Sequence, residues 1–203
     1  APQEFLYTRH YWYRSGVTQT MRDALKDVVK SACEHVRVAS GDIVLDIGSN
    51  DGTLLRQYLD FRVVKVGVEP ATNLAEAGKQ GVDVFINDFW SAETYFNEVN
   101  KIDSFDTWSN RAKIITACGM FYDLEDPNQF IADVAKVLHQ DGVFIAQLMC
   151  LKNMLSMCDI GNFVHEHLEF YSIKSLQRLM GNHGLEIYDI ETNKVNGESY
   201  RLF

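Results

Sequence analysis

Three groups of residues in this chain have the types and spacing that chemistry requires. The first is Gly48-Ser49-Asn50-Asp51-Gly52, which follows Asp46-Ile47. Glycine lets a backbone approach a ligand closely, and a turn that feeds a helix aims free amides at it. The glycines are spaced GxxxG with Asn50 between them, not the GxGxxG of a dinucleotide site, so NAD is disfavoured. The second group is Glu69-Pro70 together with Asn87-Asp88-Phe89. A carboxylate at 69 can accept both hydroxyls of a ribose, and an amide or carboxylate at 87 or 88 can bond an adenine amino group beneath the Phe89 ring. Taken singly, Glu69 and Asp88 also suit helix caps; at the ends of successive strands they describe an adenosine site. The third group is His165-Glu166-His167, three proton-transfer groups in one short stretch. In an extended chain His165 and His167 would face one side and Glu166 the other. Three roles compete for it: a metal site completed by Glu169 or Asp159, histidines that cap a helix or bond backbone, and an acid–base pair.

A sheet must bring these groups together, and the apolar pattern supplies one. Strand-length runs at 43–48, 65–69, 82–86, 113–116 and 142–148 alternate with helical periodicity at 52–59, 71–79, 92–99 and from Pro127 onward. Asp126-Pro127 opens the last of these helices, with Phe130, Ile131, Val134, Val137 and Leu138 on one face. A helix over 20–36 precedes the first strand. A helix over 172–180, capped by Ser172, is followed by strands at 185–190 and 199–203 joined through Asn196-Gly197. Alternating strands and helices force parallel pairing through right-handed crossovers. The expected fold is therefore α/β: a doubly wound, Rossmann-like, mostly parallel seven-stranded sheet with a C-terminal antiparallel hairpin strand. One domain spans 1–203, with an arm and helix at 1–40 and an α/β core at 41–203. Because the chain stops on an apolar strand without a polar tail, it is expected to be part of a longer protein.

Composition narrows the partners. With 203 residues, 46% of them hydrophobic and 23% charged, the chain can bury a core without disulfides or a structural metal. A net charge of −9 disfavours nucleic acid, which needs a basic face. No apolar run approaches the roughly 20 residues that span a bilayer, so no membrane partner is expected. The cysteines, Cys33, Cys118, Cys150 and Cys158, are irregularly spaced, as expected of free thiols in a reducing cytoplasm.

The stretch Asp-Ile-Gly-Ser-Asn-Asp-Gly-Thr-Leu-Leu from Asp46, with Gly67-Val68-Glu69-Pro70 and Asn87-Asp88-Phe89, resembles the class I methyltransferases that use S-adenosylmethionine. Three further segments resemble, more narrowly, the sugar C-methyltransferases acting on nucleotide-linked keto-deoxysugars. These are Tyr11-Trp12-Tyr13-Arg14-Ser15-Gly16 with Met21, Asp141-Gly142-Val143-Phe144, and Phe163-Val164-His165-Glu166-His167-Leu168 before Tyr171-Ser172. Some members of that group place a histidine after the fourth strand, where this chain has Met120-Phe121-Tyr122-Asp123.

The resemblance implies S-adenosylmethionine as cofactor, S-adenosylhomocysteine as product, and a small-molecule substrate such as a nucleotide sugar. It assigns the cofactor to Asp46, Gly48, Asn50, Gly52, Glu69, Pro70, Asn87, Asp88, Phe89 and Ala117, with the Asn50 side chain near the methionine portion. It places acid–base chemistry on Glu166 and His167, with His165 beside them, and lets Tyr11 or Tyr13 close over the cofactor and donate to substrate oxygen. Methylation of carbon beside a ketone requires a base for the C–H proton and stabilisation of the enolate oxygen. O- or N-methylation, or a domain that holds the cofactor without turnover, are the alternatives. His10, His35, His139 and His183 are given no role.

Overall fold

The computed structural model describes residues 2–9, 11–59, 62–102, 110–195 and 198–203. Two helices precede the sheet, α1 (Gln3–Tyr7) and α2 (Gln19–His35). Thr18 caps α2 by accepting from the Met21 amide, and Leu25, Val28, Val29 and Ala32 bury one face of it. Next come β1 (Ile43–Ile47), β2 (Val64–Val68), α3 (Ala75–Gly78), β3 (Val84–Ile86), α4 (Ala92–Val99) and β4 (Ala112–Cys118). The rest of the chain forms α5 (Pro127–Val137), β5 (Leu138–Met149), α6 (Leu151–Met157), α7 (Ile173–Gly181), β6 (Ile190–Asn193) and β7 (Ser199–Leu202).

The seven strands lie in the order β3-β2-β1-β4-β5-β7-β6. β1 to β5 pair in parallel, and β7 runs antiparallel to both β5 and β6. Strand order reverses between β1 and β4, which opens a crevice beyond their carboxyl ends. The alternation of side chains along β1 explains the layers. Ile43, Leu45 and Ile47 enter the core shared with α4, α5 and α7, while Val44 faces the second core beneath α2.

Several expected elements change on folding. The helix expected over 52–59 shrinks to a 3₁₀ turn, Leu55–Gln57. Gly52 sits at φ +76°, outside helical space, and Arg56 N–H already closes back on Gly52 O at 3.1 Å. The helix expected over 71–79 becomes a 3₁₀ turn, Thr72–Leu74, followed by the short α3, because the Thr72 amide is taken by Thr8 O at 2.8 Å. β5 starts at Leu138, directly after α5, rather than at 142. The strand expected over 185–190 overlaps β6 only at Ile190; pairing extends outward instead through Tyr188 N–H to Phe203 O and Phe203 N–H to Asp189 O. α1 and α6 were not expected. The hairpin tip at Asn196-Gly197 and His10 lie outside the described residues.

Candidate active site

At the carboxyl end of β1 the chain turns through Gly48 (φ +72°), Asn50 (φ +53°) and Gly52 (φ +76°). Side-chain carbon at Gly48 would lie 3.1 Å from Met120 Cγ, and at Gly52 it would meet Gly78 O at 2.9 Å. Glu69, at the end of β2, is 5% exposed. Its Oε2 accepts from the Asn50 amide at 2.8 Å and its Oε1 from the Ala71 amide at 2.9 Å. Burial pushes this carboxyl upward, while the two amides pull it back. Asn87 Nδ2 donates to Glu69 O at 2.8 Å and so braces the end of β2. Asp88 is exposed and accepts from the Phe89 amide, and the Phe89 ring is half-buried.

These groups open on a cavity of about 340 Å³. Of the residues expected to hold the cofactor, Gly48, Asn50, Glu69, Pro70 and Phe89 line it. Asp46, Gly52, Asn87, Asp88 and Ala117 stand behind or beside that wall. Asp46 is buried against Thr116, its strand partner, whose Oγ1 donates to Asp46 Oδ1 at 2.6 Å. Burial pushes the Asp46 carboxyl up to about 7, the Thr116 bond opposes this, and the Glu69 charge adds to it. Ala117 is fully buried on β4 beside Ile47.

The N-terminal arm forms the other wall, through Tyr7, Tyr11, Tyr13 and Ser15. Hydrogen bonds fasten it along the loops that hold Glu69. Asn73 exchanges two bonds with the Tyr11 backbone, at 3.2 and 2.9 Å. Asn50 Oδ1 accepts from Ser15 N–H at 2.9 Å, Asn50 Nδ2 donates to Tyr13 O at 3.0 Å, and Asp51 Oδ2 accepts from Gly16 N–H at 2.9 Å. The Asn50 side chain therefore grips the arm at both its ends. Burial, with the charge of Asp123 next, pushes the Tyr11 hydroxyl up to about 12.

His165-Glu166-His167 is not extended: His167 N–H closes a turn on Val164 O at 3.2 Å, so the expected alternation of faces does not apply. None of the three lines the cavity. His165 is exposed, with its Nε2 3.7 Å from Glu166 Oε1. His167 Nδ1 lies 2.8 Å from Asn162 O, and its ring packs edge-on against Tyr122 at 4.5 Å between centroids. The following backbone is pinned by Leu168 and Glu169 amides, which both donate to Tyr122 O. Among the described residues no group of three histidine, cysteine or acidic side chains converges as metal ligands do.

Sequence reasoning passed over Tyr7, Met120, Trp90 and Asp123, which all line the cavity. For Met120 and Asp123 the signal was present, since both directly follow β4 and ligands bind beyond strand ends. Tyr7 carried no such signal; α1 brings it in from a distance in sequence. The charged lining consists of Glu69, Asp123, Glu125, Asp126 and Asp133, with no lysine, arginine or histidine among the described residues there.

A methyltransferase domain family matches residues 14–190. The chain is 28% identical over 195 residues to the C-methyltransferase NovU of Streptomyces niveus, covering 96% of this chain and 44% of that protein. It thus spans less than half the length of that curated relative. Among solved structures, the putative methyltransferase complexed with the Trm112 activator of Haloferax volcanii is similar at a TM-score of 0.63, with 14% identity over 91% of this chain and 93% of that one. The magnesium protoporphyrin IX methyltransferase ChlM of Synechocystis PCC 6803, with bound SAH, gives a TM-score of 0.61 at 11% identity, covering 94% and 89%. The crevice at the strand-order reversal, the glycine turn braced by Glu69 and the family match converge: the chain belongs to the methyltransferase domain family.

Proposed function

We propose that this domain methylates carbon beside a ketone on a nucleotide-linked deoxysugar, within the biosynthesis of a natural product or polysaccharide. The observation that carries this reading is the bond between His167 and Asn162. A carbonyl only accepts, so Nδ1 carries the proton of the neutral ring and Nε2 is left bare as a base. The similarity to a C-methyltransferase along 96% of the chain supports it.

The residues present fit the cofactor. Gly48 leaves open the space that a side chain would fill against Met120, Glu69 keeps lone pairs for ribose hydroxyls beyond its two backbone bonds, and Phe89 offers an apolar face to adenine. Bound S-adenosylmethionine supplies a methyl group on a positively charged sulfonium. The acid lining without a cation suits that charge and leaves a diphosphate no partner, so the nucleotide of such a substrate stays outside the cavity. Tyr11 and Tyr13, held by the fastened arm, exclude water. His167 takes the proton at Nε2, and Glu166, next to it in the chain, assists the transfer. A cytoplasmic setting suits the four free thiols; among the described residues no helix is long and apolar enough to cross a membrane.

Solvent deuterium exchange tests this. With S-adenosylhomocysteine present, the protein should exchange the proton beside the ketone of a nucleoside-diphosphate keto-deoxyhexose. His167→Ala should lose exchange and methylation together by about 10²–10⁴-fold, with S-adenosylhomocysteine affinity near wild type. O- or N-methylation is the second reading, favoured by the absence of all three His-Glu-His side chains from the cavity wall. Full turnover by His167→Ala would establish it.

A further inference from the structure

Asp123 ends a 3₁₀ turn, Phe121–Asp123, just beyond β4, and lines the cavity beside Tyr7, Tyr11 and Gly48. Its backbone is fixed on both sides: its amide donates to Met120 O at 3.1 Å, and its carbonyl accepts from Gln3 Nε2 at 2.7 Å. These bonds hold the turn that carries the side chain at the cavity wall. Oδ1 is shielded from water and has no hydrogen-bond partner among the described residues. A buried carboxylate oxygen left in this way is costly, and the cost falls if the group carries its own proton and finds an acceptor.

The titratable groups that face Asp123 are Tyr7 from α1, Tyr11 from the arm, Tyr122 from its own turn and Glu166 from the loop after α6. None brings a positive charge. Burial pushes the Asp123 carboxyl up to about 7; a bond from the Tyr7 hydroxyl opposes this, and the Glu166 charge adds to it. Near neutral pH a large share of the molecules thus presents an O–H at the cavity wall.

We propose that Asp123 is a further catalytic residue, the carboxylic acid that donates a hydrogen bond to the substrate's carbonyl oxygen as that oxygen becomes an enolate, with Tyr7 and Tyr11 beside it. This rests on the C-methylation reading. In the step, the C–H bond beside the ketone breaks and its proton passes to His167 Nε2. The C–H electron pair becomes the carbon–carbon double bond, and the carbonyl π pair moves onto oxygen. Asp123 keeps its proton and shares it with that oxygen, and no oxidant or reductant is needed. A carboxylic acid kept neutral in an apolar site, paired with a tyrosine, is an effective enolate donor.

The test measures deuterium exchange in a nucleoside-diphosphate keto-deoxyhexose, with S-adenosylhomocysteine bound and its affinity checked by calorimetry as proof of folding. Asp123→Ala should slow exchange about 10²–10³-fold. Asp123→Asn keeps an N–H donor and should lose only about tenfold. Above about 7 the wild-type rate should fall as the acid loses its proton, and Asp123→Asn should show no such fall. If Asp123→Asn is as impaired as Asp123→Ala at every pH, an ionised carboxylate is required and the donor role is overturned. Wild-type exchange with an unimpaired Asp123→Ala also overturns it and leaves the C-methylation reading standing. Absence of exchange in the wild type, with S-adenosylhomocysteine bound, overturns both.

Discussion

Glu69 concentrates the site's dependence on single atoms. Both its oxygens accept backbone amides, so the carboxylate proposed to take a ribose also fixes the glycine turn. Glu69→Ala should weaken S-adenosylhomocysteine binding by roughly 1–3 kcal/mol, measured by calorimetry. Glu69→Gln should recover little, because one end of the amide would point a donor at a backbone donor. The same instrument should show no NAD binding; tight NAD with S-adenosylhomocysteine silent would contradict the cofactor assignment. Asn50 carries the other coupling, from turn to arm. Asn50→Gly preserves the left-handed backbone and removes the grip. The Ser15 amide should then exchange with solvent about tenfold faster, on the scale of one lost hydrogen bond, while the Gly16 amide, held by Asp51, changes less.

At the scale of elements, α2 meets the chain's end through a histidine that sequence reasoning left without a role. His35 Nε2 lies 2.9 Å from Asp189 Oδ2, its Nδ1 2.8 Å from Ser31 O, and its ring stacks on Phe203 at 3.7 Å. Burial lowers its basicity, but the Asp189 bond, the Ser31 carbonyl and the charges of Asp189 and Glu191 outweigh this, and the net direction is upward. A histidine raised in the folded state contributes its full stability below the unfolded value of about 6.5 and loses it as pH climbs through the folded value. The urea midpoint should therefore decline on the neutral-to-alkaline side of 6.5 in the wild type. His35→Gln should flatten that slope, and only slightly, since Asp189 is solvent-screened. An unchanged slope would show that the stacking, not the charge, matters.

For the whole molecule, Arg201 decides whether the antiparallel strands stay on the parallel core. It is 2% exposed on β7 and bonds Gln147 on β5, Glu191 on β6 and Asp27 on α2, each at 3.0 Å. Four elements thus share one guanidinium. Asp27 and Glu191 remain partly wet, and Gln147 Oε1 keeps a bond from Asn193 Nδ2 at 3.1 Å, so the loss is that of the charged bonds and not of a stranded acceptor. Arg201→Met should cost about 1–3 kcal/mol in urea unfolding. The loss should be carried by β6 and β7, seen as earlier amide exchange there than in β1 or β4.

Sequence alone determined the five parallel strands, because runs such as Ile43–Ile47 are buried on both faces and announce themselves as continuous apolar stretches. It also determined the order in which the glycine turn, Glu69 and Phe89 follow those strands, since a strand's end fixes where its next residue lies. Helix starts at Asp126 and Ser172 were legible because capping is a local bond. Tertiary structure decided the rest. The helix over 52–59 failed because Gly52 took a left-handed conformation, where a side-chain carbon would also meet Gly78 O. Tyr7 reached the cavity, and Asn50 turned to the arm, through contacts across 35 or more residues that no periodicity records. Asp123 became an acid poised near neutrality only because folding removed its water and supplied no cation, and desolvation is a property of the assembled fold, not of the chain.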